Sequence, residues 1–275
     1  MSPAVVGRII HETCFAVWDA LHDKGYLETP NNETDWKRIA HKFELKWNFP
    51  NALQAIDGKH VLMQAPARAQ YKFLLVDIGD WGRQSDGSVY FKSNLGFAIE
   101  ENRLNIPTMA KLPNSDRVLP YVFVADDAFG LKPHMMKPYP FQNLSTEKRV
   151  FNYRLSRERR VVENVFGIAT SRFRVFPRPI IAKVEKVVAL TKAVVALHNF
   201  LVTLKDNESI YCPANFVDRE TKDGFVPDDW RKGNENIMGL QDLTHVSSNN
   251  YSKNAATVRD KYNKYFMLER AVEWQ

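Results

Sequence analysis

The sequence predicts an α/β fold in which helices flank a sheet of short apolar strands. Apolar residues recur at helical spacing over residues 5–22 and 35–47, which predicts two amphipathic helices near the N-terminus. Residues 71–78 (YKFLLVDI) and 121–125 (YVFVA) have the length and composition of buried strands. With 44% hydrophobic and 25% charged residues among 275, the composition is globular. It excludes a disordered chain, a collagen-like chain and a disulfide-rich miniprotein.

The segment between the second helix and residue 88 is predicted to hold two strands. Residues 53–64 favour a strand that is interrupted by Asp57-Gly58. Residues 65–70 follow as a six-residue loop that leads directly to the apolar strand at 71–78. Residues 79–88 are rich in Gly, Ser and Asp, which predicts a further loop.

The rest of the chain adds helices around the second apolar strand. Residues 89–102 can form a helix, whereas residues 105–120 contain three prolines and are predicted to be a loop. A helix then begins at Ser145 or Thr146, either of which can cap it. Residues 184–204 are nearly all apolar, as in a core helix, and the polar, Asn-rich chain beyond them predicts a partly flexible extension.

The sequence predicts neither a membrane span nor a secretory signal. It contains no run of eighteen apolar residues, so a transmembrane helix is not expected. The N-terminus lacks a basic stretch followed by an apolar stretch and a small-residue cleavage site, so secretion is not expected. Two cysteines, Cys14 and Cys212, are too few for a disulfide framework or a four-cysteine metal site.

The positive charge of the chain is concentrated in residues 145–178. This segment contains nine Lys and Arg residues against three Glu, so its excess equals the net charge of +6 of the whole chain. Eight of the nine are Arg, the side chain suited to bidentate phosphate contacts. Such a concentration indicates a polyanionic partner, and the alternative is a solvated basic face on a surface helix.

Three acidic residues have positions that suit a metal site. Asp57 interrupts an apolar strand, Asp126 ends the strand at 121–125, and Glu163 lies within the basic helix. Carboxylates of this kind bind Mg²⁺ or Mn²⁺, and a pair of such ions can activate water for phosphodiester cleavage. The alternatives are a turn aspartate before Gly58, a helix cap or turn residue at Asp126, and a local ion pair between Glu163 and the arginines one turn earlier.

Six sequence blocks resemble the PIF/Harbinger DDE transposases and, more narrowly, the Harbinger transposase-derived nucleases of animals. The blocks are WNFPNALQAIDGKHV, DGSVYFKSNLG, LPYVFVADDAF, LKPHMMKPY, FNYRLSRERRVVENVFGI and ALHNFL. The resemblance extends from about residue 5 to the end of the chain. It implies an RNase H-like core, that is, a mixed sheet flanked by helices, with a DDE triad that binds divalent metal (Mg or Mn). The implied activity is DNA strand cleavage and transfer.

The family motifs map the triad onto particular residues of this chain. The first acid is Asp57 of IDGKH, and the third is Glu163 of RRVVENVFG. The second is Asp126, which directly follows the strand, with the adjacent Asp127 as its rival. The resemblance implies that these three residues are both metal ligands and catalytic. The basic residues expected to contact DNA phosphates are Lys59, Arg154, Arg157 and Arg160.

Two further positions in the family motifs are candidates for smaller roles. Asp86 matches a family position that usually lies near the site, so it is a possible fourth polar contributor. His60 and His198 also lie within family motifs. His198 stands on an apolar helix, where a lone histidine is more often a buried structural residue.

Two departures from the family pattern are evident in the sequence. The six residues 65–70 stand where the family has a longer stretch with an apolar second strand, so the core is expected to lack its second strand. The chain begins inside what resembles the last helix of the family's N-terminal DNA reader. The expected division is a helical remnant over residues 1–48, a DDE nuclease domain over 49–204 and a C-terminal extension over 205–275.

The function predicted first is therefore a metal-dependent DNA endonuclease derived from a DDE transposase. The alternative is a non-catalytic domesticated domain that acts in DNA or protein binding, which the expected loss of a strand keeps open. The resemblance further implies nuclear location and a Myb-like DNA-binding partner. The oligomeric state is not indicated by any feature of the sequence.

Overall fold

A computed structural model describes residues 1–59, 63–68, 70–78, 86–176, 180–204, 208–213, 216–217, 219–221, 224–226 and 251–271. The helices are α1 (Pro3–Asp23), α2 (Glu33–Trp47), α3 (Asp86–Lys92), α4 (Asn94–Glu100), α5 (Thr146–Arg172), α6 (Val184–Thr203), α7 (Glu208–Tyr211) and α8 (Lys253–Leu268). The strands are β1 (Ala52–Lys59), β2 (Met63–Arg68), β3 (Lys72–Phe73), β4 (Asp77–Ile78), β5 (Met109–Lys111), β6 (Val118–Pro120), β7 (Val122–Val124), β8 (Met135–Met136), β9 (Arg219–Thr221) and β10 (Gly224–Val226). The predicted α/β class is confirmed.

The central sheet combines antiparallel and parallel pairing. Its strand order is β3-β2-β1-β7-β8, and β4 pairs with β2 beside β3. Strand β2 is antiparallel to both of its neighbours, β1 and β3, whereas β7 is parallel to β1 and β8 is parallel to β7. Two small antiparallel sheets, β5 with β6 and β9 with β10, lie apart from it.

The second strand of the sheet is present, so the predicted loss of that strand is wrong. Residues 63–68, expected to be the end of one strand and a loop, form β2 and pair with β1 so that Ala65 faces Asp57 and Pro66 faces Ile56. The sequence MQAPAR has little intrinsic preference for β structure. Its strand is imposed by pairing with β1, whose residues 52–57 are buried, and such tertiary pairing overrides local propensity.

The third strand position is divided into two short strands. Residues 71–78, predicted as one strand, form β3 and β4, which pair with opposite ends of β2. The gap between them lies opposite Pro66, a residue that has no N–H to donate to an outer strand. The apolar run therefore contributes core side chains, Phe73 and Leu74 among them, rather than a continuous strand.

The first two helices match their sequence prediction. Asn32 caps α2 by accepting a hydrogen bond of 2.9 Å from the N–H of Asp35. The apolar face of α2 is buried as its spacing predicts, through Trp36, Ile39, Ala40, Phe43 and Trp47. Because α2 and α5 both contact β1, the strand that carries Asp57 is enclosed by helices.

Helix α5 is a central helix rather than a surface helix. Ser145 caps it, accepting a hydrogen bond of 3.4 Å from the N–H of Lys148, as the sequence predicts. Its apolar face packs against β1, β2 and β7. Several of its polar residues are buried as well, including Arg154 and Glu158. The basic segment is therefore not a uniformly solvated face.

The segment between β4 and β7 departs from its prediction in two places. The helix predicted over residues 89–102 is two helices, because Ser93 breaks it and caps α4 through a 2.8 Å bond from the N–H of Gly96. The proline-rich stretch 105–120, predicted as a loop, contains the hairpin of β5 and β6. The short apolar strand predicted at 121–125 is confirmed as β7.

The two remaining long helices complete the core. Helix α6 packs against α1 and, by length and hydropathy alone, is apolar enough to cross a membrane. It carries the fully buried polar residue His198, and we interpret it as the core helix that the sequence predicts. Helix α8 packs on α5 through Tyr262, Tyr265 and Phe266, all fully buried. Part of the 205–275 segment is therefore integral to the core.

Candidate functional site

Three charged residues lie at the carboxyl ends of neighbouring parallel strands. Asp57 lies on β1 beyond the part paired with β7, Asp126 follows β7, and Lys137 follows β8. Ala55 is the partner of Val124, and the two aspartates each lie two residues further along. Asp126 lies beyond the last paired residue of β7, and the register, continued for two residues, would place the two aspartates on adjacent strands at one end of the sheet. Both aspartates are only 4% exposed.

Asp126 is oriented by the turn that follows β7. Its Oδ1 accepts a hydrogen bond of 3.0 Å from the N–H of Ala128, an Asx-type turn. The other oxygen, Oδ2, lies 3.8 Å from Nη2 of Arg159. The neighbouring Asp127 accepts a 3.0 Å hydrogen bond at its backbone carbonyl from Lys137. Asp126 therefore contacts helix α5 through Arg159.

Glu163 reaches the same place from α5 through a shared arginine. Nη2 of Arg159 lies 3.7 Å from Oε1 of Glu163, one helical turn away. The same nitrogen contacts Asp126 Oδ2. The distance between that oxygen and Glu163 Oε1 therefore cannot exceed the sum of the two contact distances. The local ion pair considered for Glu163 is therefore real, and it also ties Glu163 to the strand carboxylate.

Lys137 is a site residue that the sequence reasoning missed. It is almost fully buried, and its Nζ donates to the Asp127 carbonyl. Burial lowers the pKa of Lys137, while the charges of Asp127 and Asp126 oppose that shift. The signal was available, because Lys137 lies in the block LKPHMMKPY just after the two methionines of β8.

A family comparison bears on this arrangement. The model of a family described as DDE superfamily endonuclease matches residues 58–199, which is half of the chain. The chain belongs to the DDE superfamily endonucleases. No curated protein and no solved structure matches it. Asp126 and Glu163 lie within the matched region, whereas Asp57 precedes its first residue.

The DDE endonuclease superfamily generally uses divalent metals, which makes the donor set of this chain relevant. Asp57, Asp126 and Glu163 offer hard carboxylate oxygens, the ligand type that Mg²⁺ and Mn²⁺ prefer. Within the described residues, no three His, Cys, Asp or Glu side chains are close enough to hold one ion. The three carboxylates therefore match a divalent cation in donor type only, and Arg159 places a positive charge beside two of them.

The arginines expected to contact DNA differ in their accessibility. Arg154 is 1% exposed, donates to the backbone carbonyls of Asn48 and Arg270, and stacks 4.8 Å from the ring of Phe266. It is therefore a packing residue, and its guanidinium is not available to a phosphate.

Two other arginines expected to contact DNA are more exposed to solvent than Arg154. Arg157 and Arg160 are half-buried, and burial lowers the pKa of Arg157. The side chains of Lys59, His60 and Asp86 lie outside the described part of the chain. The exposed basic residues of this region stand near the ends of α5: Lys148, Arg149, Arg172 and Arg174.

Proposed function

We propose that this DDE endonuclease is a divalent-metal-dependent DNA nuclease of the Harbinger type with an RNase H-like core. The observation that carries the proposal is the contact that Asp126 and Glu163 share with Arg159, and Asp57 supports it by its position on the strand that pairs with β7. The strand order supports it as well. Three consecutive antiparallel strands followed by a strand parallel to the first is the arrangement expected of an RNase H-like sheet.

The chemistry follows from the burial of the carboxylates. Asp57, Asp126 and Glu163 would hold Mg²⁺ or Mn²⁺, and such an ion would supply an activated water and offset charge on the scissile phosphate. Ala128 fixes the orientation of Asp126 through its amide, so one of the two carboxylate oxygens is already aimed toward α5. The low exposure of the two aspartates strengthens their electrostatic interactions relative to those in water.

A non-catalytic DNA- or protein-binding domain is the competing function. That alternative was motivated by the expected loss of the second strand, which would have left the first acid poorly supported. Strand β2 is present and pairs with Asp57 itself. The motivation is thereby removed, and the alternative becomes an outcome of the cleavage experiment.

A cleavage assay tests the proposal. Purified protein is incubated with supercoiled plasmid and Mg²⁺ or Mn²⁺, and the wild type is compared with Asp126→Asn and Glu163→Gln. We expect either substitution to lower nicking at least about a hundredfold, because even outer partners of metal ligands contribute 10–100-fold. Asp127→Asn is the matched control and should retain most activity. Wild-type cleavage no faster than that of Asp126→Asn would favour the non-catalytic domain.

DNA binding is a separate part of the proposal. With Arg154 buried, the phosphate-contacting group is reduced to Lys59, Arg157 and Arg160. A salt titration of DNA affinity measures this, because each lost phosphate contact reduces the slope of log affinity against log salt by about 0.9. An unchanged slope in Arg157→Ala/Arg160→Ala would remove these two residues from the interface. Nuclear location and a Myb-like partner remain part of the proposal on the resemblance alone.

A further inference from the structure

Arg159 lies between two of the three carboxylates of the candidate site. Its Nη2 is 3.8 Å from Asp126 Oδ2 and 3.7 Å from Glu163 Oε1. The Arg159 side chain is 22% exposed, so both contacts are partly shielded from water. The guanidinium therefore provides positive charge where the proposed function requires a divalent cation.

The two contacts of Arg159 are electrostatic rather than hydrogen-bonded. A charge-assisted hydrogen bond between guanidinium and carboxylate spans about 2.8 Å, and both contacts are almost 1 Å longer. The Nε of Arg159 is buried and has no hydrogen-bond partner within the described residues. A guanidinium held in this way is easier to displace than one in a bidentate pair.

We propose that Arg159 is a positioning residue that balances the charge of Asp126 and Glu163 in the metal-free protein and competes with the divalent cation for them. This inference rests on the proposed metal-dependent function. Carboxylates that share a site repel one another, and a cation between them offsets that repulsion. Arg159 thus holds the two carboxylates in place, and a metal ion must displace it from at least one of them.

The direction of the effect on metal affinity distinguishes competition from simple structural support. If Arg159 only supported the fold, removing it would loosen the site and weaken metal binding. If it competes with the metal, removing it strengthens metal binding. We expect Arg159→Gln to bind Mn²⁺ at least about tenfold more tightly, given the Coulomb attraction of partly buried charges at this separation.

Isothermal titration of the full chain with MnCl₂ measures this affinity. Arg159→Lys, which keeps the charge, should bind Mn²⁺ with an affinity close to that of the wild type. Arg149→Gln is the matched control, because Arg149 is exposed and lies ten residues earlier on α5, about 15 Å along the helix axis. In EDTA, Arg159→Gln should also melt at a lower temperature than the wild type, and Mn²⁺ should raise its melting temperature by more.

The results separate this inference from the proposed nuclease function. Equal or weaker Mn²⁺ binding by Arg159→Gln, or no measurable binding by either protein, overturns the role of Arg159. Tighter binding by Arg159→Gln with no plasmid cleavage by the wild type supports competition and removes the nuclease function. Cleavage by the wild type with unchanged affinity in the variant leaves the nuclease function and removes the inference.

Discussion

The side-chain amide of Asn199 pairs with the backbone of Phe73 on both sides. Its Oδ1 accepts a 2.9 Å hydrogen bond from the Phe73 N–H, and its Nδ2 donates 2.7 Å to the Phe73 carbonyl. The same Nδ2 donates to the carbonyl of Tyr26. One amide side chain thus takes the place of a partner strand beyond β3 and satisfies the outer edge of the sheet. These hydrogen bonds from Asn199 hold β3 in place although the strand is only two residues long.

Replacing Asn199 should therefore destabilise the sheet edge and the whole fold. We expect Asn199→Ala to lower the free energy of unfolding by about 3 kcal/mol, because it leaves buried backbone groups without partners. Urea denaturation measures this, and hydrogen exchange should accelerate most at the Phe73 amide. The exposed Asn254 is the control, and Asn254→Ala should change stability by less than about 0.5 kcal/mol. Equal effects of the two substitutions would contradict the assigned role.

This contact also shows what the sequence could and could not reveal about the fold. Helices α1 and α2 followed from 3.6-residue periodicity, α5 from its cap and apolar residues, and α6 from its apolar run, because those signals are local. Strand β2 could not be predicted, because MQAPAR becomes a strand only through its pairing with β1. The division of residues 71–78 was equally hidden, since it depends on Pro66 in the neighbouring strand and on Asn199 some 120 residues later.

The candidate site shows the same limits. Asp57 and Asp126 could be proposed because a carboxylate within or directly after an apolar strand is conspicuous in the sequence. Arg154 and Arg159, by contrast, differ by five residues on one helix, and their sequence contexts are alike. Their different roles depend on helix α8, which covers Arg154, and on β7, which presents Asp126 to Arg159.

Arg154 should consequently affect stability rather than DNA affinity. Burial, together with the nearby charges of Arg157 and Arg270, lowers the pKa of Arg154 to about 10, so it remains charged at neutral pH. We expect Arg154→Ala to lower the free energy of unfolding by about 2–4 kcal/mol, since it removes packing against Phe266 and unpairs two carbonyls. Arg149→Ala, on the exposed part of the same helix, should have little effect in the same urea titration.

DNA affinity provides the contradicting outcome for Arg154. Measured below the denaturation temperature of the variant, DNA binding by folded Arg154→Ala should match that of the wild type. A variant with unchanged stability and reduced salt dependence of DNA binding would instead place Arg154 at the DNA.

His198 should make stability depend on pH between about 4 and 6.5. Its Nε2 donates to the Tyr71 carbonyl, and in the neutral ring its Nδ1 accepts from the Tyr211 hydroxyl. Full burial lowers the pKa of His198 to about 4. The unfolded chain binds a proton near pH 6.5 and the folded chain does not, so the stabilisation is complete above pH 6.5 and is lost as pH falls toward 4.

A comparison of wild type and His198→Gln isolates this contribution. Between pH 7.5 and 4.5 the wild type should lose roughly 2.5 kcal/mol of unfolding free energy more than the variant, as the linkage relation requires for this shift. Urea titrations at several pH values give both curves. A constant difference between the two proteins over this interval would show that His198 does not titrate in the way its burial indicates.

Glu158 should give a pH dependence of the opposite sign. It is fully buried on α5, and neither carboxyl oxygen has a hydrogen-bond partner within the described residues. Burial raises the pKa of Glu158 well above its usual value, and the nearby Arg157 opposes the shift only in part. The folded chain then holds a proton that the unfolded chain releases near pH 4.5. Stability is therefore highest below that pH and falls as pH rises toward the folded pKa.

Removing the ionisable group should remove this loss. We expect Glu158→Gln to match the wild type near pH 4 and to exceed its free energy of unfolding by at least about 1 kcal/mol at pH 7.5, the equivalent of one pKa unit. The control Glu147→Gln, in the exposed first turn of α5, should instead cost a few tenths of a kcal/mol, since it removes a favourable interaction with the helix dipole. A wild type that is more stable than Glu158→Gln at neutral pH would mean that the carboxylate is ionised and paired with Arg157, which would place the charge of that arginine inside the core rather than at DNA.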